Sequence, residues 1–187
     1  MLNCNLKLLT ICISIQYINH NEEEKMTESK NNSERSMEQT GKEGAVVSMG
    51  IQYIKDFSFE SPNTPEIFNI IKEPPKMMLD VNVMYKHLGE TAFESVLKLR
   101  LEAKVQEKPA FIAEIEYAGI FSLSELSEEQ KKMFLLVEAP RHLFPYARAV
   151  ISNAVSEGGF PGVVLQPIDF MALYAANNAN DQAMGTA

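Results

Sequence analysis

Histidine is the side chain best suited to move protons near neutral pH or to hold a transition metal, and the chain has three, His20, His87 and His142. None has a second histidine or a cysteine at ligand spacing, so no metal site is expected. The two cysteines, Cys4 and Cys12, lie near the amino end and leave the remainder without a thiol nucleophile or a disulfide framework. No serine or threonine stands in a nucleophile-elbow context. Gly158, Gly159 and Gly162 follow a helical pattern instead of joining a strand to a helix N-terminus, so no loop is shaped to cradle phosphate. Carboxylates are plentiful, but nothing in their spacing selects an acid-base pair. Neither an enzyme nor a cofactor is expected. What stands out is apolar: ten methionines, whose flexible thioethers suit promiscuous contact, although any one methionine is more often core filler.

The scaffold that must position these groups is bounded by composition. At 187 residues and 45% apolar, the chain can bury one sizeable core. A formal net charge of -8 disfavours nucleic acid, whose recognition needs clustered Lys and Arg, and favours a basic partner. The apolar run over residues 6–18 has no basic flank ahead of Lys7 and no small-residue cleavage site. It is too short to span a bilayer, so neither export nor membrane insertion is expected. Met26 begins an ordinary polar leader and is the expected start. Residues 1–48 are read as a disordered or mis-assigned leader, 49–177 as the folded domain, and 178–187 as a disordered tail.

Within that domain the first strand covers residues 49–59 and stops at a Pro-Asn-Thr-Pro turn. The second covers 77–83, with apolar residues at 77, 79, 81 and 83. The third, 91–105, has the cleanest period-2 pattern: Phe93, Ser95, Leu97, Leu99, Leu101, Ala103 and Val105 share one parity. The fourth covers 110–117, and short links between strands imply an antiparallel meander. Beyond Gly119 the period becomes helical. Ser124 with Glu128 and Glu129 opens a helix to about Val137, Pro140 starts a second that Pro145 should bend, and Gly158-Gly159 ends it. Asp169 caps a last helix reaching about Asn177. The expected class is α+β, a four-stranded antiparallel sheet with helices packed on one face.

Four ordered motifs carry a further reading. Tyr53-Ile54-Lys55-Asp56-Phe57-Ser58-Phe59-Glu60-Ser61-Pro62-Asn63, Tyr117-Ala118-Gly119-Ile120-Phe121, Leu143-Phe144-Pro145-Tyr146-Ala147-Arg148, and Gly159-Phe160-Pro161 followed by Leu165-Gln166-Pro167-Ile168-Asp169-Phe170 resemble the SecB family of protein-export chaperones. The resemblance spans residues 49–174. It implies a cytoplasmic, ATP-independent holding chaperone, a homotetramer built as a dimer of dimers, that keeps preproteins unfolded for translocation by the SecA export ATPase. It places client binding at Met77, Leu79, Val81, Phe170, Leu173 and Tyr174, and SecA binding at Asp56, Glu60, Ile112 and Glu114. Tetramer contacts fall at Ala113, Ile115 and Tyr117, on the opposite strand parity from Ile112 and Glu114. Ala118 stands where the family commonly has a second glycine, and the terminal residues carry only Asp181 as an acid. An adaptor for one partner and a small enzyme remain alternatives, which binding of several unrelated unfolded proteins would separate from a holding chaperone.

Overall fold

The computed structural model describes residues 9–11, 46–72 and 74–184, with backbone alone at 9–11 and 178–184. Met26 as a start, the two cysteines, His20 and residues 185–187 lie outside the described residues. Five strands, β1 (Leu9–Ile11), β2 (Val46–Glu60), β3 (Lys76–His87), β4 (Ala92–Val105) and β5 (Lys108–Ser124), form one antiparallel sheet in the order β1-β3-β4-β5-β2. The four long strands are those expected, and β1 adds three rungs at the edge. Only β3, β4 and β5 form a meander. The chain leaves β2 through residues 61–75, including the short helix α1 (Ile67–Ile70), and β2 pairs with β5 on the far side, a Greek-key order.

β5 is longer than its sequence reading. The ladder passes Tyr117 without a break to Ser124, because Gly119 is a packing residue and not a terminator: a Cβ there would lie 2.9 Å from Leu143 Cδ2. Ala118 needs no glycine-only backbone, since it sits within the strand. The helix begins at Ser127, not Ser124, which closes β5. Ser127 Oγ accepts the Gln130 N–H while Gln130 Oε1 accepts the Ser127 N–H, a capping box that opens α2 (Glu128–Met133).

Instead of stopping near Val137, the helical path widens into a π-helical segment, Phe134–Glu138, and continues as α3 (Ala139–Glu157). Pro140 explains the widening. The Ala139 N–H reaches back five residues to the Phe134 carbonyl, and Pro140 has no N–H to offer the Leu135 carbonyl next in line. Ser95 Oγ donates to that carbonyl instead, at 2.9 Å, and its own buried hydroxyl is thereby satisfied. Pro145 lies within α3 without interrupting it. The last helix, α4 (Phe170–Met184), starts where Asp169 predicts, with the Ala172 N–H donating to Asp169 Oδ1 at 3.0 Å, and runs past Asn177 to Met184.

The inner face of β3, β4 and β5 supplies Leu79, Leu97, Leu99, Leu101, Ile115 and Phe121 to one core, which the π segment and α3 complete with Leu135, Leu143, Ala147 and Ile151. All ten are essentially inaccessible, and each large aliphatic side chain buried in this way contributes about 1.5–3 kcal/mol.

Candidate binding surfaces

The outer face of the sheet gathers Asp56, Glu60, Ile112 and Glu114. Glu60 pairs with Ile112, Ser58 with Glu114 and Asp56 with Glu116, so the four occupy neighbouring rungs on one side. Their charge is unevenly distributed. Glu114 accepts from Arg100 Nε at 3.0 Å, Glu116 from Lys98 Nζ at 3.1 Å, and Arg100 also reaches Glu102 at 3.5 Å. The β5 carboxylates are thus neutralised locally by β4 cations. Asp56 and Glu60 are exposed on β2, and among the described residues no ion pair engages either. The net acidic surface is the β2 margin, flanked by the half-buried aliphatic Ile112.

A buried acid sits further along the same face. Glu94 of β4 is 5% exposed, accepts both carboxylate hydrogen bonds from Lys55 Nζ at 2.9 Å, and accepts the Tyr53 hydroxyl. Tyr53 and Lys55 belong to β2, so they cross over β5 at Ala118, a fully buried residue on the intervening strand. A larger side chain there would stand in their way. Burial pushes the Glu94 carboxyl up, but the Lys55 and Tyr53 hydrogen bonds and the Lys55 charge outweigh it and leave it below the usual range. The same hydrogen bond, with burial, pushes the Tyr53 hydroxyl up to about 12.

On the inner face the six residues expected to meet clients are brought to one region but not to an open groove. Met77, Leu79 and Val81 point inward from β3 and are buried; Phe170 and Leu173 are buried and Tyr174 is half-buried on α4. Both sets border the π segment and join the same apolar cluster. Phe170 meets Phe144 edge-on with ring centroids 6.2 Å apart. Together the six form a closed seam between β3, the π segment and α4.

Ala113 and Ile115 likewise have no surface left for another subunit. They are inaccessible beneath α3, because this helix packs directly on the inner face of β5. Tyr117 alone remains half-exposed, its ring stacked on the exposed Tyr146 at 6.1 Å and 5°. The inner row of β2 was missed in the sequence. Val47, Met49, Ile54 and Phe57 pair with inward residues of β5, yet are 44%, 45%, 48% and 38% exposed. Ile54 is opposite Tyr117, so this row and the tyrosine pair are continuous. Alternation in residues 49–59 was the available signal, blurred by register shifts at Met49/Gln52 and Ile54/Asp56.

At the hairpin end a cleft of about 320 Å³ is lined by Ile70, Lys72, Pro75, Lys76, Lys104 and Glu107, apart from both surfaces. Among the described residues no group of three or more His, Cys, Asp or Glu could hold a metal, and no helix is long and apolar enough to cross a membrane.

Residues 40–181 match the family model described as preprotein translocase subunit SecB. The chain is 44% identical over 135 residues to the protein-export protein SecB of Rhodospirillum centenum, covering 72% of this chain and 80% of that one. It is 43% identical over 147 residues to the SecB of Granulibacter bethesdensis, covering 74% and 86% respectively. In fold it is similar to a Mycobacterium tuberculosis SecB-like chaperone solved with a ChAD peptide from an antitoxin, at a TM-score of 0.56 and 16% identity, covering 65% of this chain and 90% of that chain.

Proposed function

The chain belongs to the SecB family, whose members are protein-export chaperones and not enzymes, and from that premise we propose an ATP-independent holding chaperone that takes unfolded preproteins on one side of its sheet and meets the SecA motor on the other. The observation that carries this reading is the separation of surfaces. The apolar seam of Met77, Leu79, Val81, Phe170, Leu173 and Tyr174 is inward, while the free carboxylates of Asp56 and Glu60, with Ile112 and the Arg100-bound Glu114, are outward. Clients are captured when α4 lifts from the π segment. The uncovered methionine, leucine and aromatic surface then binds by water exclusion and dispersion, which ignore side-chain order. A basic partner is steered by the acidic margin and anchored at Ile112.

Residues 49–177 carry these functions in the cytoplasm, as a homotetramer built as a dimer of dimers. The bare inner row of β2 with Tyr117 and Tyr146 supports a subunit contact, since an apolar row of this length is an aggregation hazard unless another chain covers it. In that contact Ala113 and Ile115 act from behind, by supporting β2 and α3.

Light-scattering mass with and without a slow-folding preprotein, in the absence of ATP, tests the reading. Tetramer-sized particles that hold the preprotein in solution are expected; a monomer that leaves it to aggregate refutes the holdase.

A further inference from the structure

The edge of the sheet beside β3 is occupied by the chain's own amino-terminal segment. Leu9 pairs with Val81, Thr10 with Asp80 and Ile11 with Leu79. These are the rungs on which Leu79 and Val81 enter the seam assigned above to clients. An exposed strand edge offers a row of N–H and C=O groups to any extended chain, and adding a strand to such an edge is a general mode of peptide capture. The segment that takes this place lies within residues 6–18, Leu-Lys-Leu-Leu-Thr-Ile-Cys-Ile-Ser-Ile-Gln-Tyr-Ile, an apolar, β-branched run of the kind an unfolded preprotein presents. Its composition contrasts with that of residues 21–44, rich in Glu, Lys, Ser and Asn.

We propose that residues 9–11 act as a built-in client mimic: by adding a strand to the β3 edge they compete with unfolded chains for that edge and set the threshold of apolar content a client must exceed. The proposal rests on the client site given above. A segment on the same chain competes at an effective concentration set by its tether, here residues 12–45, whatever the concentration of the separate chains it competes with. A weak three-rung pairing therefore suffices to screen out weakly apolar chains. A protein starting at Met26 lacks the mimic and is expected to be the more avid form.

Three forms test it: the full chain, the chain starting at Met26, and the full chain with Thr10→Pro and Ile11→Pro, which removes a donor on either hydrogen-bonding parity. The first readout needs no client. Amide exchange at whichever parity among Leu79, Asp80 and Val81 turns its N–H toward β1, the other parity facing β4 in every form, is expected to be slower in the full chain than in the other two, and equal rates in all three forms overturn the proposal. The second is affinity for a reduced, unfolded secretory polypeptide. The Met26 form and the proline form are expected to bind roughly tenfold tighter than the full chain, the scale of one or two net backbone hydrogen bonds. Equal affinities overturn the proposal, as does tightening by truncation without tightening by proline. Slower exchange in the full chain with no client binding in any form would uphold the edge pairing and defeat the client-site reading itself.

Discussion

β2 and β3 lie toward opposite margins of the sheet and are built from similar residues, yet they end in opposite states. The inward row of β3, Met77, Leu79, Val81 and Val83, is closed over by the π segment. The inward row of β2, Val47, Met49, Ile54 and Phe57, has no equivalent cover among the described residues. Toward the carboxyl end of β2, α3 gives out at Gly158, where a Cβ would run into the Phe59 ring. One row completes a core and the other awaits a surface, a difference that strand composition alone does not reveal. It follows that the two rows should respond to mutation in different observables.

Leu79→Ala should give the largest effect, about 3 kcal/mol lost in chemical denaturation, because it opens a cavity in a filled core. A loss below about 1 kcal/mol would mean that the β3 row is looser than the closed seam implies.

The next effect concerns what holds β2 without a cover. Its ladder with β5 is assisted by Lys55 and Tyr53 reaching Glu94. Glu94→Ala should cost about 2 kcal/mol by withdrawing the buried, charged acceptor that the half-buried Tyr53 and the exposed Lys55 share. Since the folded Glu94 carboxyl lies below its ordinary value of 4.5, its contribution is complete above that pH and is lost as pH falls through and beneath the carboxylate range. Denaturation midpoints at pH 7 and pH 3 should therefore differ less in Glu94→Gln than in the parent; an unchanged difference would remove the bridge from the account.

Ser95→Ala should cost about 1 kcal/mol, on the β3 side of the comparison, by withdrawing the donor that serves the Leu135 carbonyl. If Pro140→Ala relieves that loss in a double-mutant cycle, the widened turn is the cause.

Smallest in subunit stability, within about 0.5 kcal/mol, should be Ile54→Asp with Met49→Asp, since both side chains are already exposed. Their effect should appear in light scattering, as a mass at or below half that of the parent. An unchanged mass would deny β2 its proposed partner. On the outer face, Asp56→Ala with Glu60→Ala should weaken SecA binding about tenfold and more than Glu114→Ala does, because Glu114 is already engaged by Arg100; unfolded-client binding should survive both.

The sequence was most legible where one strand face meets a filled core. β4 alternates cleanly because its inward residues, Phe93 to Val105, pack against helices, while the outward Lys98 and Arg100 pair across the ladder with β5 and Glu102 pairs along its own strand. It was less legible where a residue's role is set by a distant neighbour. Gly119 reads as a terminator, but makes room for Leu143. Ser124 and Ser127 are equivalent as helix caps until Gln130 completes the box. Parity separates Ile112 and Glu114 from Ala113 and Ile115, whereas the burial of the latter two depends on how closely α3 lies on β5.

The Greek-key order also has a temporal meaning. Val46 meets Ser124 across 78 positions, and β2 cannot complete its ladder until β5 exists. Contacts of such sequence separation form late because loop closure precedes their reward. During synthesis the Val-, Met-, Ile- and Phe-bearing β2 leaves the ribosome before its partner β5 and stays unpaired while about sixty further residues are added, at about 5–20 residues per second. For those seconds a protein-export chaperone is itself an unfinished chain with an open apolar strand, within reach of any completed sibling.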